Sequence, residues 1–120
     1  MNLPHADGAE IAKGEIADYL LNPLHPDAAG KAGFFAAMGF RAEQWEGLAI
    51  ALRQVAVNCR VGRKVDSPHG TKYVVDGAMT TPVGKTPLVR SIWIVDQGED
   101  RPRLVTTYPL EEGEEHAEGT

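Results

Sequence analysis

The residues of this 120-residue chain that could do chemistry are those that break the pattern of their own element. Arg90 stands in the middle of an alternating run, Leu88 to Val95, with Leu88, Ile92 and Ile94 on its own side and Ser91 on the other. Either its stem lies over apolar surface with the charge in water, or the guanidinium stands on an open sheet face, where paired donors suit a phosphate. Lys31 comes early in an otherwise small and apolar segment, Ala28 to Met38. A cation in a first helical turn opposes the helix dipole, so helix stability does not account for it. It is either a solvated charge on the outer face or one wall of a cleft that His25, six residues upstream, also reaches. In the second case an imidazole for proton transfer and an ammonium for charge neutralisation share a site. Thr106, Thr107 and Tyr108, and Thr71 in an earlier strand, suit strands by propensity and also offer hydroxyl donors. Trp93 and Tyr73 either fill the core or present faces on which a base can stack.

The usual local signatures are missing. There is no GxGxxG, no GxxxxGK[ST], no HExxH, no CxxC and no GxSxG. The histidines, His5, His25, His69 and His116, are scattered, so no metal and no cofactor is expected. The lone Cys59 reads as a small strand hydrophobe, since nothing at a suggestive spacing activates it.

A formal charge of -5 argues against a nucleic-acid partner until the charges are placed. Residues 1–30 sum to -4 and the last ten residues to -5, whereas residues 31–110 carry 11 basic and 7 acidic side chains, a balance of +4. The part of the chain most suited to a sheet is therefore mildly basic between acidic ends. No apolar run approaches the roughly 18 residues of a membrane span, and the start carries no basic cluster followed by an apolar segment. No membrane partner and a cytoplasmic location are the expectation.

The elements that must position these residues divide into two halves. Residues 10–110 read as one domain, with residues 1–9 and 111–120 as flexible acidic ends. Helical spacing covers Ile11, Ile16, Tyr19 and Leu20, stopped at Asn22-Pro23. A second helix runs from Ala28, capped by Asp27, to Met38, with Gly39 at its end. The third, Glu43 to Val57, shows a continuous apolar stripe from Trp45 to Ala56. Alternation then takes over. Cys59, Val61, Arg63 and Val65 share one face of a first strand; Thr71 to Asp76, Leu88 to Val95 and Arg103 to Tyr108 follow, the last with Leu104, Thr106 and Tyr108 on one side. Helices followed by consecutive strands imply the α+β class: two or three N-terminal helices packed on a four-stranded antiparallel sheet.

The strings Tyr19-Leu20-Leu21-Asn22-Pro23-Leu24-His25-Pro26, Gly30-Lys31-Ala32-Gly33-Phe34-Phe35, Gly70-Thr71-Lys72-Tyr73-Val74-Val75-Asp76-Gly77, Val89-Arg90-Ser91-Ile92-Trp93-Ile94-Val95 and Pro102-Arg103-Leu104-Val105-Thr106-Thr107-Tyr108-Pro109 resemble a family of small uncharacterised bacterial domains. The layout is also similar to the superfamily of metal-independent toxin ribonucleases that includes barnase, EndoU, certain colicins and RelE. That resemblance implies two helices on a four-stranded antiparallel sheet with RNA cut on the open sheet face. It carries over a His or Lys of the helical part to His25 and Lys31, a sheet cation to Arg90 and a last-strand hydroxyl to Thr106. Gly30 stands where many relatives have His, so an expected His-Lys pair is reduced to Lys31.

The leading expectation is an endoribonuclease of toxin type, with RNA as substrate and a small acidic antitoxin or immunity protein as partner, and no DNA sequence specificity. His25, or His69 if its turn folds over the face, deprotonates the 2′-hydroxyl; Lys31, Arg90 and Thr106 stabilise the phosphate; and Thr71, Tyr73, Trp93 and Tyr108 bind substrate. The alternatives are a non-catalytic protein-binding module, immunity or antitoxin-like, which the overall acidity favours, and an accessory domain that has kept the fold and lost activity.

Overall fold

The structure is a computed structural model that describes residues 1–22 and 29–110. The Pro23–Ala28 linker with His25 and the 111–120 tail lie outside the described residues. A helical turn over Gly14–Leu20 is followed by α1 (Ala29–Ala37) and, after a short turn at Ala42–Gln44, by α2 (Trp45–Asn58). Four strands follow, β1 (Val61–Ser67), β2 (Gly70–Ala78), β3 (Leu88–Asp96) and β4 (Arg103–Pro109), forming one antiparallel sheet in chain order. The α+β class and the helices-then-strands order expected from the change of hydrophobic period are the ones observed.

The helices are made as their composition dictates. The Gly14–Leu20 turn is wide, with the Leu21 N–H donating to the Ile16 carbonyl five residues back at 2.8 Å, and it buries Ile16 and Leu20 completely. At the end of α1 the Phe40 N–H reaches the Phe35 carbonyl at 3.1 Å around Gly39, whose φ of 96° is open to glycine at little cost. The stripe of α2 buries Leu48, Ala49, Leu52, Val55 and Ala56. It seats on the sheet at Gly77, where a Cβ would meet the Cys59 sulfur and Val55, so the absent side chain sets how closely α2 approaches β2.

The sheet consequently has two unlike faces. Tyr73, Val75 and Gly77 of β2, Val89, Ser91 and Trp93 of β3, and Leu104 and Thr107 of β4 are buried on the helix-covered side. Its polar members are bonded to one another or to backbone: the Trp93 indole N–H donates to Ser91 Oγ, Ser91 Oγ donates to the Val75 carbonyl, both at 2.9 Å, and Thr107 Oγ1 donates to the Arg90 carbonyl at 2.7 Å. Asp76, Arg90, Ile92, Thr106 and Tyr108 project from the other side.

Two bulges correct the alternation expected of the strands. Val61 pairs with Val75 but Arg63 pairs with Val74, so one extra residue is taken up at Gly62. Val61 and Arg63 therefore fall on opposite faces, although strict alternation puts them together. On β4, Leu104 pairs with Trp93 and Thr106 with Ile92, so Val105 is the extra residue and Leu104 is separated from Thr106. A bulge shifts side-chain parity by one residue; here the two shifts turn Arg63 and Thr106 to the open face.

The N-terminus also departs from expectation. Residues 1–9, expected to be a flexible end, bury Leu3, Ala6 and Ala9, and the Val61 N–H donates to the Met1 carbonyl at 2.7 Å. Arg53 of α2 donates from Nε and Nη2 to the Ala9 carbonyl at 3.2 and 3.1 Å. Breakers such as Pro4 and Gly8 end regular structure without preventing packing. Beyond them Glu10 covers the outer edge of β4: its N–H donates to the Pro102 carbonyl at 2.8 Å and its carbonyl accepts the Leu104 N–H at 2.9 Å.

Candidate functional site

Lys31 lies in the first turn of α1, where the dipole disfavours it. Its place is explained by what it reaches: Nζ donates to Thr106 Oγ1 of β4 at 2.9 Å and stands 5.7 Å from the centre of the Tyr108 ring. Seventy-five residues of sequence separate the two ends of that hydrogen bond. Ala32 and Phe35 turn this side of α1 into the core, and α1 packs against β4.

Tyr108 links this pair to a second one. It stands opposite Arg90 across the β3–β4 ladder, and Arg90 in turn stands opposite Asp76 across β2–β3. Arg90 donates from Nε and Nη2 to the two Asp76 oxygens at 2.8 and 2.9 Å. The Asp76 side chain is fully buried and that of Arg90 is 24% exposed. The bond to Asp76, with further support from Tyr108, holds the guanidinium even more firmly protonated than usual, outweighing the opposing effect of burial. The two donors that would grip a phosphate side-on are therefore occupied by Asp76. Arg90 is neither a charge spread over apolar surface nor an open phosphate fork; it is an anchored cation beneath Tyr108.

Glu15, on the Gly14–Leu20 turn that packs against both α1 and β4, is partly buried, and burial pushes it above the ordinary carboxylate range against the opposing pull of Lys31 and Arg103. Neither Glu15 nor Asp76 stands out in the sequence, because each looks like one more solvated acid. The one available signal is that Asp76 directly follows an apolar strand run, Tyr73-Val74-Val75, and precedes the glycine on which α2 seats.

The other residues singled out are distributed as follows. Thr106 and Tyr108 join Lys31 and Arg90. Trp93 is wholly buried with its N–H bonded to Ser91, and Tyr73 is 6% exposed with Lys64 near its ring, so neither offers a face to a base. Stacking was the expectation for both; the parity of β2 and β3 places them against the helices instead. Thr71 shares that parity and donates to Asp66 Oδ1 at 2.9 Å, away from Thr106. His69 sits in the β1–β2 turn, about five strand residues or roughly 16 Å from the row of Thr106. That distance takes it out of the role of base. His25 lies outside the described residues. Among the described residues no group of three or more His, Cys, Asp or Glu side chains is arranged to hold a metal ion, and no helix is long and apolar enough to cross a membrane.

Residues 2–111 match the family described as a domain of unknown function, DUF6883. The fold is similar to that of a chain in the contact-dependent growth inhibition toxin–immunity protein complex from Klebsiella pneumoniae 342, with a TM-score of 0.67 at 18% identity, over 88% of this chain and 97% of that one. At that identity the likeness speaks for the architecture. No curated protein matches the chain.

Proposed function

We propose that this chain, which belongs to the DUF6883 family, is an endoribonuclease of toxin type that cleaves RNA by attack of the 2′-hydroxyl on the adjacent phosphate. The observation that carries the reading is the meeting of Lys31 and Thr106 at 2.9 Å beside Tyr108, on the sheet face turned away from α2. Because Lys31 donates to Thr106 Oγ1, the threonine's own proton is directed elsewhere and suits a non-bridging phosphate oxygen. An ammonium and a hydroxyl so placed stabilise the extra negative charge of a five-coordinate phosphate, the charge work that sets the rate of such a step. The 2′-oxygen gives its proton to a base and bonds to phosphorus, the P–O5′ bond breaks with its electron pair on the leaving oxygen, that oxygen takes a proton from water, and the products are a 2′,3′-cyclic phosphate and a 5′-hydroxyl. His25 is the base that the sequence reading assigns to the 2′-hydroxyl proton. Asp76 and Arg90 act as positioning residues, fixing Tyr108 and the β3–β4 register.

The likeness to a toxin–immunity complex supports this reading and also a second one. That complex holds both kinds of protein, and the net charge of -5 favours an immunity-like module that docks a protein partner. Expression in a bacterial host separates the two. The ribonuclease reading expects growth arrest and fragmented RNA with the wild type, relieved by Lys31→Ala. Normal growth with intact RNA in both strains contradicts it.

A further inference from the structure

The open sheet face extends well beyond Lys31 and Thr106. One row across it runs Arg63, Val74, Ile92, Thr106, and the next runs Val65, Lys72, Ile94, Arg103. Val74 and Ile92, both half-buried, form an apolar patch in its middle, next to the buried Ile94. Its two acids are each neutralised by a neighbour, Asp76 by Arg90 and Asp96 by Arg103, the latter pair at 2.7 Å. Arg63 and Lys72 are exposed and stand in no ion pair among the described residues. Arg63 shares the row of Thr106 at three strand spacings, roughly 14 Å, and Lys72 lies one strand nearer. The bulge at Gly62 brings Arg63, and Val65 after it, to this face.

We infer that this face is a track for single-stranded RNA, in which Arg63 and Lys72 bind phosphates beyond the bond cut at Lys31 and Thr106, while the half-buried Val74 and Ile92 carry sugars and bases. The inference rests on the ribonuclease reading and adds the path of the substrate. Charge complementarity selects the occupant: a patch with surplus cations along one side fits a polyanion with regularly spaced charges, and a flat apolar floor tolerates any base. A substrate bound over several nucleotides also supplies binding energy remote from the reacting bond, which can be used to orient it.

The test is the salt dependence of binding of a short, fully 2′-O-methylated RNA, which binds without being cut. Removing one cation from a phosphate lowers the slope of log affinity against log salt by about 0.7 for a single strand. The double variant Arg63→Ala/Lys72→Ala is expected to lower it by about 1.4. Arg63→Lys is expected to keep the wild-type slope, and so is Arg41→Ala, which alters an exposed cation on the helical side. A wild type that binds RNA with a slope unchanged in the double variant overturns the track and leaves the ribonuclease reading standing. A wild type that does not bind RNA overturns both. If the double variant loses affinity for an acidic protein while RNA binding is untouched, the face belongs to a protein and the track is wrong.

Discussion

Arg90→Ala is expected to destabilise the fold by about 3–5 kcal/mol, the cost of leaving a buried carboxylate without its counter-ion. Asp76 is wholly buried on the sheet face and accepts two charge-assisted bonds from Arg90. Removal of the guanidinium leaves it either charged in a poorly solvated place or forced to take up a proton. At the urea dependence usual for small domains, about 1–3 kcal/mol per molar, this is a shift of about 1 M or more in the unfolding midpoint. Asp76→Ala should cost a similar amount, and the double variant Asp76→Leu/Arg90→Leu should recover most of it, because two apolar residues leave no unpaired charge. Equilibrium urea unfolding of the three variants checks this. An Arg90→Ala protein within about 0.5 kcal/mol of wild type, the range of an ordinary surface substitution, would show that the pair does not hold the face together. Loss of activity in Arg90→Ala is therefore no measure of catalysis unless the folded fraction is measured beside it.

Lys31→Ala is expected to behave in the opposite way. RNA cleavage should fall by roughly 10²–10³-fold, the usual effect of removing one donor to developing charge. Stability should change by less than about 1 kcal/mol. The bond to Thr106 is only partly buried and is worth about 1 kcal/mol, while removal of a cation from the first turn of α1 returns some tenths to the helix. Thr106→Val should lose less activity, since it removes one neutral donor and keeps the ammonium. A Lys31→Ala protein that cleaves at the wild-type rate places the phosphate elsewhere.

The architecture is legible in the sequence because its period changes once, from the stripe Trp45 to Ala56 to the alternation of Leu88 to Val95. The meeting of Lys31 with Thr106 is legible in part: Lys31 is out of keeping with its helix, and a residue that local stability does not explain is often held by a distant partner, whereas Thr106 suits its strand and gives no such signal. Three features are not legible. A bulge has no composition of its own, so nothing at Gly62 or Val105 corrects the parity that a strict period of two assigns to Arg63 and Thr106. The pairing of Asp76 with Arg90 depends on β2–β3 register, which neither strand states alone. Trp93 is open to two readings because a strand Trp suits either face equally; the Gly77 opening for α2 decides which face is covered.

The proposed chemistry turns on the 2′-hydroxyl. Purified full-length chain incubated with an unmodified RNA, and separately with the same RNA fully 2′-O-methylated, measures whether that group is the nucleophile. Fragments ending in 2′,3′-cyclic phosphate are expected from the first, formed equally with a metal chelator present, and the second RNA is expected to stay intact. Cleavage of both RNAs, or of neither, would contradict the ribonuclease reading.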